Sequence, residues 1–244
     1  MPGIVLLALF WTATGLYSLP AHGQAAAVTA SVQVSHPHSQ HADASNAGVV
    51  VWLVPQNEKD VRSAPVAEPA GKRFTLLQKD KNFHPHLLVI PVGSQVEFPN
   101  KDPFFHNVFS LFEGKRFDLG LYESGTTRTL RFDRPGISYL FCNIHSEMSA
   151  VIVALDTPYY ATSDRAGQIT IPNVPAGRYT MRIWKEGLSA ATLKNLSRTV
   201  TVSGENPSLG ALVVPGAIAV PLAHKNKYGR DYEDPTPPGQ IYDH

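Results

Sequence analysis

The stretch Phe141-Cys-Asn-Ile-His-Ser-Glu-Met148 holds the only cysteine of the 244-residue chain, with a histidine three positions after it and a methionine three positions after that. A thiolate, an imidazole and a thioether are donors that hold copper. One thiolate and two imidazoles with a long axial thioether make the trigonal site used for blue-copper electron transfer. Cys142, His145 and Met148 supply three of those four donors. The best placed second imidazole is His106, in Asn100-Lys-Asp-Pro-Phe-Phe-His-Asn-Val108, where the histidine opens a run that reads as a strand able to lie beside the one ending at Cys142.

Other readings of these residues are weaker. A lone buried cysteine is most often a small core hydrophobe, but here it is flanked by donors at ligand spacing. Glu147 is an oxygen donor inside the loop that could compete, yet Met148 has the offset of an axial ligand. A single cysteine excludes a dinuclear copper centre of the two-cysteine kind, and no His-x-His cluster near Cys142 suggests a multicopper oxidase. His84 and His86 flank a proline ahead of a strand and read as structural. His36, His38 and His41 could hold a second metal, but a loop of solvated histidines is the better reading.

The elements that must position the donors read as strands. Ala27–Val34 and Gly48–Pro55 are short β-rich runs that could pair as a hairpin across a polar, turn-like segment. Lys72–Asp80, His86–Asn100, His106–Phe112, Thr126–Asp133 and Gly136–His145 follow, broken by turn signals at Val92-Gly93-Ser94, Glu113-Gly114-Lys115 and Arg134-Pro135-Gly136. Alternation in Gln95–Asn100 and Thr129–Asp133 has period 2, so the expected class is all-β, a sandwich or barrel. About five more strands fit between Asp156 and Pro215, and residues 223–244 are charged and aperiodic, an irregular tail.

Composition bounds the partners. With 21 Lys and Arg against 20 Asp and Glu, no overall field favours nucleic acid or an anionic membrane. An apolar fraction of 43% suffices for a packed core. Residues 1–24 read as an export signal, apolar from Ile4 to Leu19 and followed by small residues at Ala21, Gly23 and Ala25, although no Lys or Arg precedes the apolar run. An uncleaved membrane anchor is the alternative, against which the run is short for a span. The expected location is periplasmic or secreted, and one cysteine cannot form an internal disulfide there.

Asn100–Leu155, with His-Asn at 106 and 107 and Cys-x2-His-x2-Met at 142–148, resembles the copper-binding half of the cupredoxins. The short loop is most similar to the amicyanin type and more loosely to plastocyanin, with Ser146 and Glu147 standing where relatives are more apolar or proline-like. The resemblance implies a Greek-key β-sandwich over residues 25–155, the N-terminal hairpin included. It implies one type 1 copper, with His106, Cys142 and His145 as equatorial ligands and Met148 as the weak axial one. Asn107 would support the thiolate through its backbone N–H and tie the two ligand loops together. Pro103, Phe104 and Phe105 would form an apolar surface around the edge of His145.

The implied activity is that of a one-electron carrier rather than an enzyme, serving a redox protein such as a c-type cytochrome or a dehydrogenase. No nucleic acid and no membrane span after signal removal are expected. Copper binding or delivery without electron transfer is the alternative; a vestigial, fold-stabilising site is a third. Residues 156–222, with Asp164–Gly187 as the recognisable feature, resemble the small Ig-like β-sandwich of the carboxypeptidase-regulatory type, which carries no catalytic residues.

Overall fold

Successive side chains of a strand point to opposite faces of its sheet, so a strand with one buried face alternates in polarity and a strand buried on both faces does not. Both kinds occur in this chain. The structure, a computed structural model, describes residues 25–35, 45–57, 73–111, 114–204, 207–216 and 225–232. Its strands are β1 (Ala26–Ser35), β2 (Val50–Pro55), β3 (Phe74–Thr75), β4 (Leu77–Lys79), β5 (Asn82–His84), β6 (Leu87–Pro91), β7 (Gln95–Pro99), β8 (His106–Ser110), β9 (Phe117–Tyr122), β10 (Thr127–Arg131), β11 (Gly136–Phe141), β12 (Ser149–Leu155), β13 (Tyr160–Thr162), β14 (Gln168–Val174) and β15 (Gly177–Trp184). A short helix, α1 (Ala190–Leu196), then precedes β16 (Arg198–Val202) and β17 (Ser208–Pro215).

The all-β class expected from the sequence holds, and the sheets form two sandwiches. One carries the residues expected from the sequence to bind metal and consists of the five-stranded sheet β6-β12-β11-β8-β9 and the sheet β10-β7-β3. Between them lies a core of Phe98, Phe132, Ile90, Leu140 and Ile152, with Cys142 and Met148 among its members. The other, Ig-like sandwich consists of β14-β1-β17 and β13-β2-β15-β16, packed around Val32, Leu53, Ile171 and Tyr179. A third apolar cluster joins the two: Val151, Val153 and Leu155 of β12 meet Val50 and Trp184 of β2 and β15. β12 is therefore buried at six successive positions, Ala150–Leu155, with even-numbered residues in the core that holds Cys142 and odd-numbered residues in the joint. Full burial of a side chain such as Val or Leu contributes about 1.5–3 kcal/mol, so this one strand anchors both sandwiches.

One expectation is corrected. β1 and β2 do not pair with each other and do not belong to the sandwich that holds Cys142. β1 lies antiparallel to β14 and parallel to β17, and β2 lies between β13 and β15. Alternation in β1 reports that one face is buried; it does not report which sheet buries it. Three strands and a helix escaped the sequence reading, β12 among them because burial on both faces removes its alternation. In β9 the left-handed Gly120, in a register shift against β8, breaks the alternation, and β5 has only three residues. α1 has two turns and no buried residue, too short for a 3.6-residue period to show, although Ser189 caps it by accepting from Thr192 N–H at 3.2 Å.

The sandwiches are also joined by His86, whose Nδ1 faces the Ser149 carbonyl at 3.1 Å and whose Nε2 faces Glu186 at 2.7 Å. The Glu186 carboxylate raises the imidazole pKa, and protonation of both nitrogens satisfies both acceptors. His84 is exposed on β5. The sequence-predicted export signal and His36, His38 and His41 lie outside the described residues, and no described helix is long and apolar enough to cross a membrane.

β1 docks at a glycine. Gly167 has φ of +81°, its carbonyl accepts from Val32 N–H at 2.7 Å, and a Cβ there would strike the Val32 carbonyl oxygen. Gly204, at φ +82°, has nothing within 4 Å of such a Cβ. Both lose about 1–2 kcal/mol to left-handed backbone on substitution, but only Gly167 adds a clash with main chain. Gly167→Ala is expected to lower the thermal midpoint by clearly more than the roughly 2–8 °C that the backbone cost alone implies, with Gly204→Ala as the reference in the same melting measurement.

Candidate metal centre

The antiparallel pairing of β11 with β8 sets Phe141 opposite Phe109, which brings Cys142, just beyond the end of β11, to the same end of the sheet as His106 at the start of β8. His145 reaches the place by a tight loop. Met148 N–H donates to the His145 carbonyl at 3.2 Å, and Cys142 N–H donates to the Met148 carbonyl at 3.3 Å. The two bonds close the Cys-x2-His-x2-Met segment on itself, so the even spacing is realised as one compact turn.

Three donor atoms converge there. Cys142 Sγ lies 3.8 Å from His106 Nδ1 and 3.7 Å from His145 Nδ1, and the two ring nitrogens are 3.2 Å apart. The point equidistant from all three corners of that triangle is about 2.1 Å from each, the length of a metal–imidazole bond and slightly short of a metal–thiolate bond. His106 and Cys142 have no solvent exposure, and His145 is half-buried. Basic nitrogens and a sulfur facing one point in a dry setting repel one another unless a cation or proton lies between them, so the donor set fits a soft, imidazole-accepting metal ion. Burial and then the neighbouring His106 hold the His145 imidazole below its usual pKa, which keeps it neutral and available as a donor. Met148 is fully buried in the same core cluster as Cys142, and Glu147 is exposed and outside the converging group.

Further residues orient the donors. Asp102 Oδ2 receives a hydrogen bond from His106 Nε2 at 2.7 Å, and the Asp102 carboxylate also accepts from Asp80 N–H at 2.6 Å and Lys81 N–H at 3.0 Å. With Nε2 committed as donor, Nδ1 presents its lone pair to the trio. Burial alone would push the Asp102 carboxyl up, but the bonds from His106 and the two backbone donors outweigh it and hold it below the usual range. Asn107 is buried and directs its amide Nδ2 at Asp118 Oδ1, 2.7 Å away on β9. Phe104 packs edge-on to His106 with ring centroids 5.2 Å apart and stands 5.4 Å from His145. Pro103 is exposed and Phe105 is 55% exposed.

The sequence reading had no role for Asp102, although its position four residues before His106 was a usable signal. It also passed over Asp118, Lys227 and Tyr232. Lys227 and Tyr232 lie in the segment read as an irregular tail, where nothing local marks them. Tyr232 O–H donates to the Cys142 carbonyl at 2.6 Å, and Lys227 N–H donates to Asn143 Oδ1 at 2.9 Å.

The profile of polysaccharide lyase family 4, domain II, matches residues 151–209, from β12 to the start of β17. No curated protein matches the chain. Among solved structures, a copper-containing nitrite reductase from Thermus scotoductus SA-01 aligns at 26% identity over 34% of this chain and 22% of that one, with a TM-score of 0.33. A purple cupredoxin from Nitrosopumilus maritimus aligns at 21% identity over 34% of this chain and 99% of that one, with a TM-score of 0.31. A reduced amicyanin variant aligns at 19% identity over 36% and 88%, with a TM-score of 0.32. The chain thus spans less than a quarter of the nitrite reductase and about nine-tenths or more of the two small proteins.

Proposed function

We propose that this chain is an exported one-electron carrier built around a single type 1 copper, with His106, Cys142 and His145 as equatorial ligands and Met148 as the axial one. The observation that carries this reading is the preformed triangle of Sγ and two Nδ1 atoms within a buried core. Copper bound there would supply a one-electron Cu(II)/Cu(I) couple. The protein's part is to hold its donors alike in both oxidation states: Asp102 fixes His106, the closed loop fixes Cys142 and His145, and the core excludes water. Such a site suits electron transfer better than substrate chemistry, which needs an open position on the metal. A delivery protein needs exposed donors that a recipient can reach, and here the thiol and His106 are inaccessible.

The half-buried His145 is the contact through which electrons enter and leave, and Pro103, Phe104 and the exposed Phe105 and Ile144 form an apolar rim beside it. An apolar rim suits a transient redox partner, such as a c-type cytochrome or a dehydrogenase, because weak encounters bury little area and release quickly. The second sandwich, read as a carboxypeptidase-regulatory-like module, supports the first through β12. Copper loading of the purified protein tests the proposal. One equivalent per chain with an intense absorption toward the red end of the visible, bleached reversibly on reduction, is the expected result. A colourless Cu(II) form or a stoichiometry near zero would refute it.

A further inference from the structure

We propose that residues 225–232 are a positioning strap of the metal centre, which holds the Cys142 loop and the His106 strand together from outside the sandwich core. The segment has an ordered form of its own. Asn226 N–H donates to the Arg230 carbonyl at 2.8 Å, Gly229 N–H donates to the Asn226 carbonyl at 2.9 Å, and Asn226 Oδ1 accepts from the backbone N–H of Tyr228 and Arg230 at 3.0 and 3.1 Å. It grips the site from within that turn, at Lys227, and beyond it, at Tyr232.

Tyr232 O–H binds the Cys142 carbonyl, so Cys142 is held on one side by its own loop, through Met148, and on the other by the strap. Lys227 N–H binds the side chain of Asn143, the next residue. Lys227 Nζ reaches Asp118 Oδ2 at 2.8 Å, while Asp118 Oδ1 takes the amide of Asn107, the neighbour of His106. A continuous chain of bonds, Asn107–Asp118–Lys227–Asn143, therefore links the two ligand-bearing segments. The contacts span 84, 90 and 109 residues of sequence, so they are features of the folded state and not of local turn preference.

A carbonyl and a side chain adjacent to a metal-binding thiol fix the direction of its Cα–Cβ bond, and bonds of this outer kind change metal affinity by about 10–100-fold. The effect on copper rests on the ligand reading above; the ordering of the loop does not. The test therefore has a metal-free arm. In the full chain without metal, Tyr232→Phe and Lys227→Met are each expected to raise amide hydrogen exchange across residues 143–148 by roughly fivefold, the loss of about one hydrogen bond. Lys227→Arg, which keeps the pair with Asp118, is expected to restore slow exchange. In the copper-loaded protein, Tyr232→Phe is expected to speed copper loss to a chelator by at least about tenfold and to shift the visible band.

Unchanged exchange in both Tyr232→Phe and Lys227→Met overturns the strap, whatever the copper does. Faster exchange in a protein that takes up no copper upholds the strap and removes the copper reading instead. Uniformly faster exchange in both sandwiches would mark general destabilisation and count against a local role.

Discussion

Cys142→Ser is expected to abolish the visible absorption of the copper-loaded protein and to weaken copper binding by more than about 100-fold, beyond the range of outer-shell changes. Such an absorption would arise from charge transfer out of a thiolate, and this chain has one cysteine. Serine is nearly isosteric but remains a protonated hydroxyl at neutral pH, and it offers a hard oxygen where copper selects soft sulfur. The shorter Cβ–O bond also draws the donor away from two imidazole nitrogens that already stand 3.8 and 3.7 Å from the sulfur. Cys142 is fully buried, so the new hydroxyl costs about 1–3 kcal/mol if it finds no partner. Metal-free unfolding must therefore be measured beside the titration. Met148→Leu is the contrasting variant: it keeps the thiolate and is expected to keep the band while the reduction potential rises. A Cys142→Ser protein that stays blue would dispose of the ligand assignment.

Asp102→Asn is expected to raise the reduction potential and to lower copper affinity by about 10–100-fold, although Asp102 supplies none of the converging donor atoms itself. Its carboxylate does two things at once. It accepts the His106 Nε2 proton at 2.7 Å, which strengthens Nδ1 as a donor and places negative charge next to the site, and it ties down the Asp80–Lys81 turn through two backbone N–H groups. A carboxylate can accept from all three donors, whereas an amide must point its NH2 group at one of them. In the Asp102→Asn variant either His106 or the turn therefore loses its acceptor in a buried place. Removing the negative charge favours the more reduced metal, which fixes the sign of the potential change. Voltammetry of the loaded variant checks it, and an unchanged potential would show that the Asp102–His106 bond does not tune the site. The metal-free protein should also lose stability, by about 1.5–3 kcal/mol for each charge-assisted bond broken.

What could be read directly was chemistry confined to a short stretch. Cys142, His145 and Met148 lie within seven residues, so their types and spacing already imply a shared loop, and the loop forms with two internal backbone bonds. The convergence of His106 on that loop was legible because the copper reading calls for a second imidazole and because a strand begins there; its neighbourhood with Cys142 is a matter of register, Phe109 opposite Phe141. The all-β class followed from alternation, which depends only on how each strand is half-buried.

Partner choice was not legible. β1 alternates in the same way whichever sheet covers it, and only the folded chain sets it between β14 and β17, far along the sequence. β12 lost its alternation because it faces two cores at once, a fact about neighbours rather than about its own residues. Asp102 gained its role from a turn 22 residues earlier, and Lys227 and Tyr232 gained theirs from a loop more than 80 residues away. Local sequence sets which donors a segment offers and which face it must bury. Which acceptors and surfaces satisfy them is decided by the tertiary structure, because strand edges, buried carboxylates and loop carbonyls are all served by groups that only folding brings within hydrogen-bonding distance.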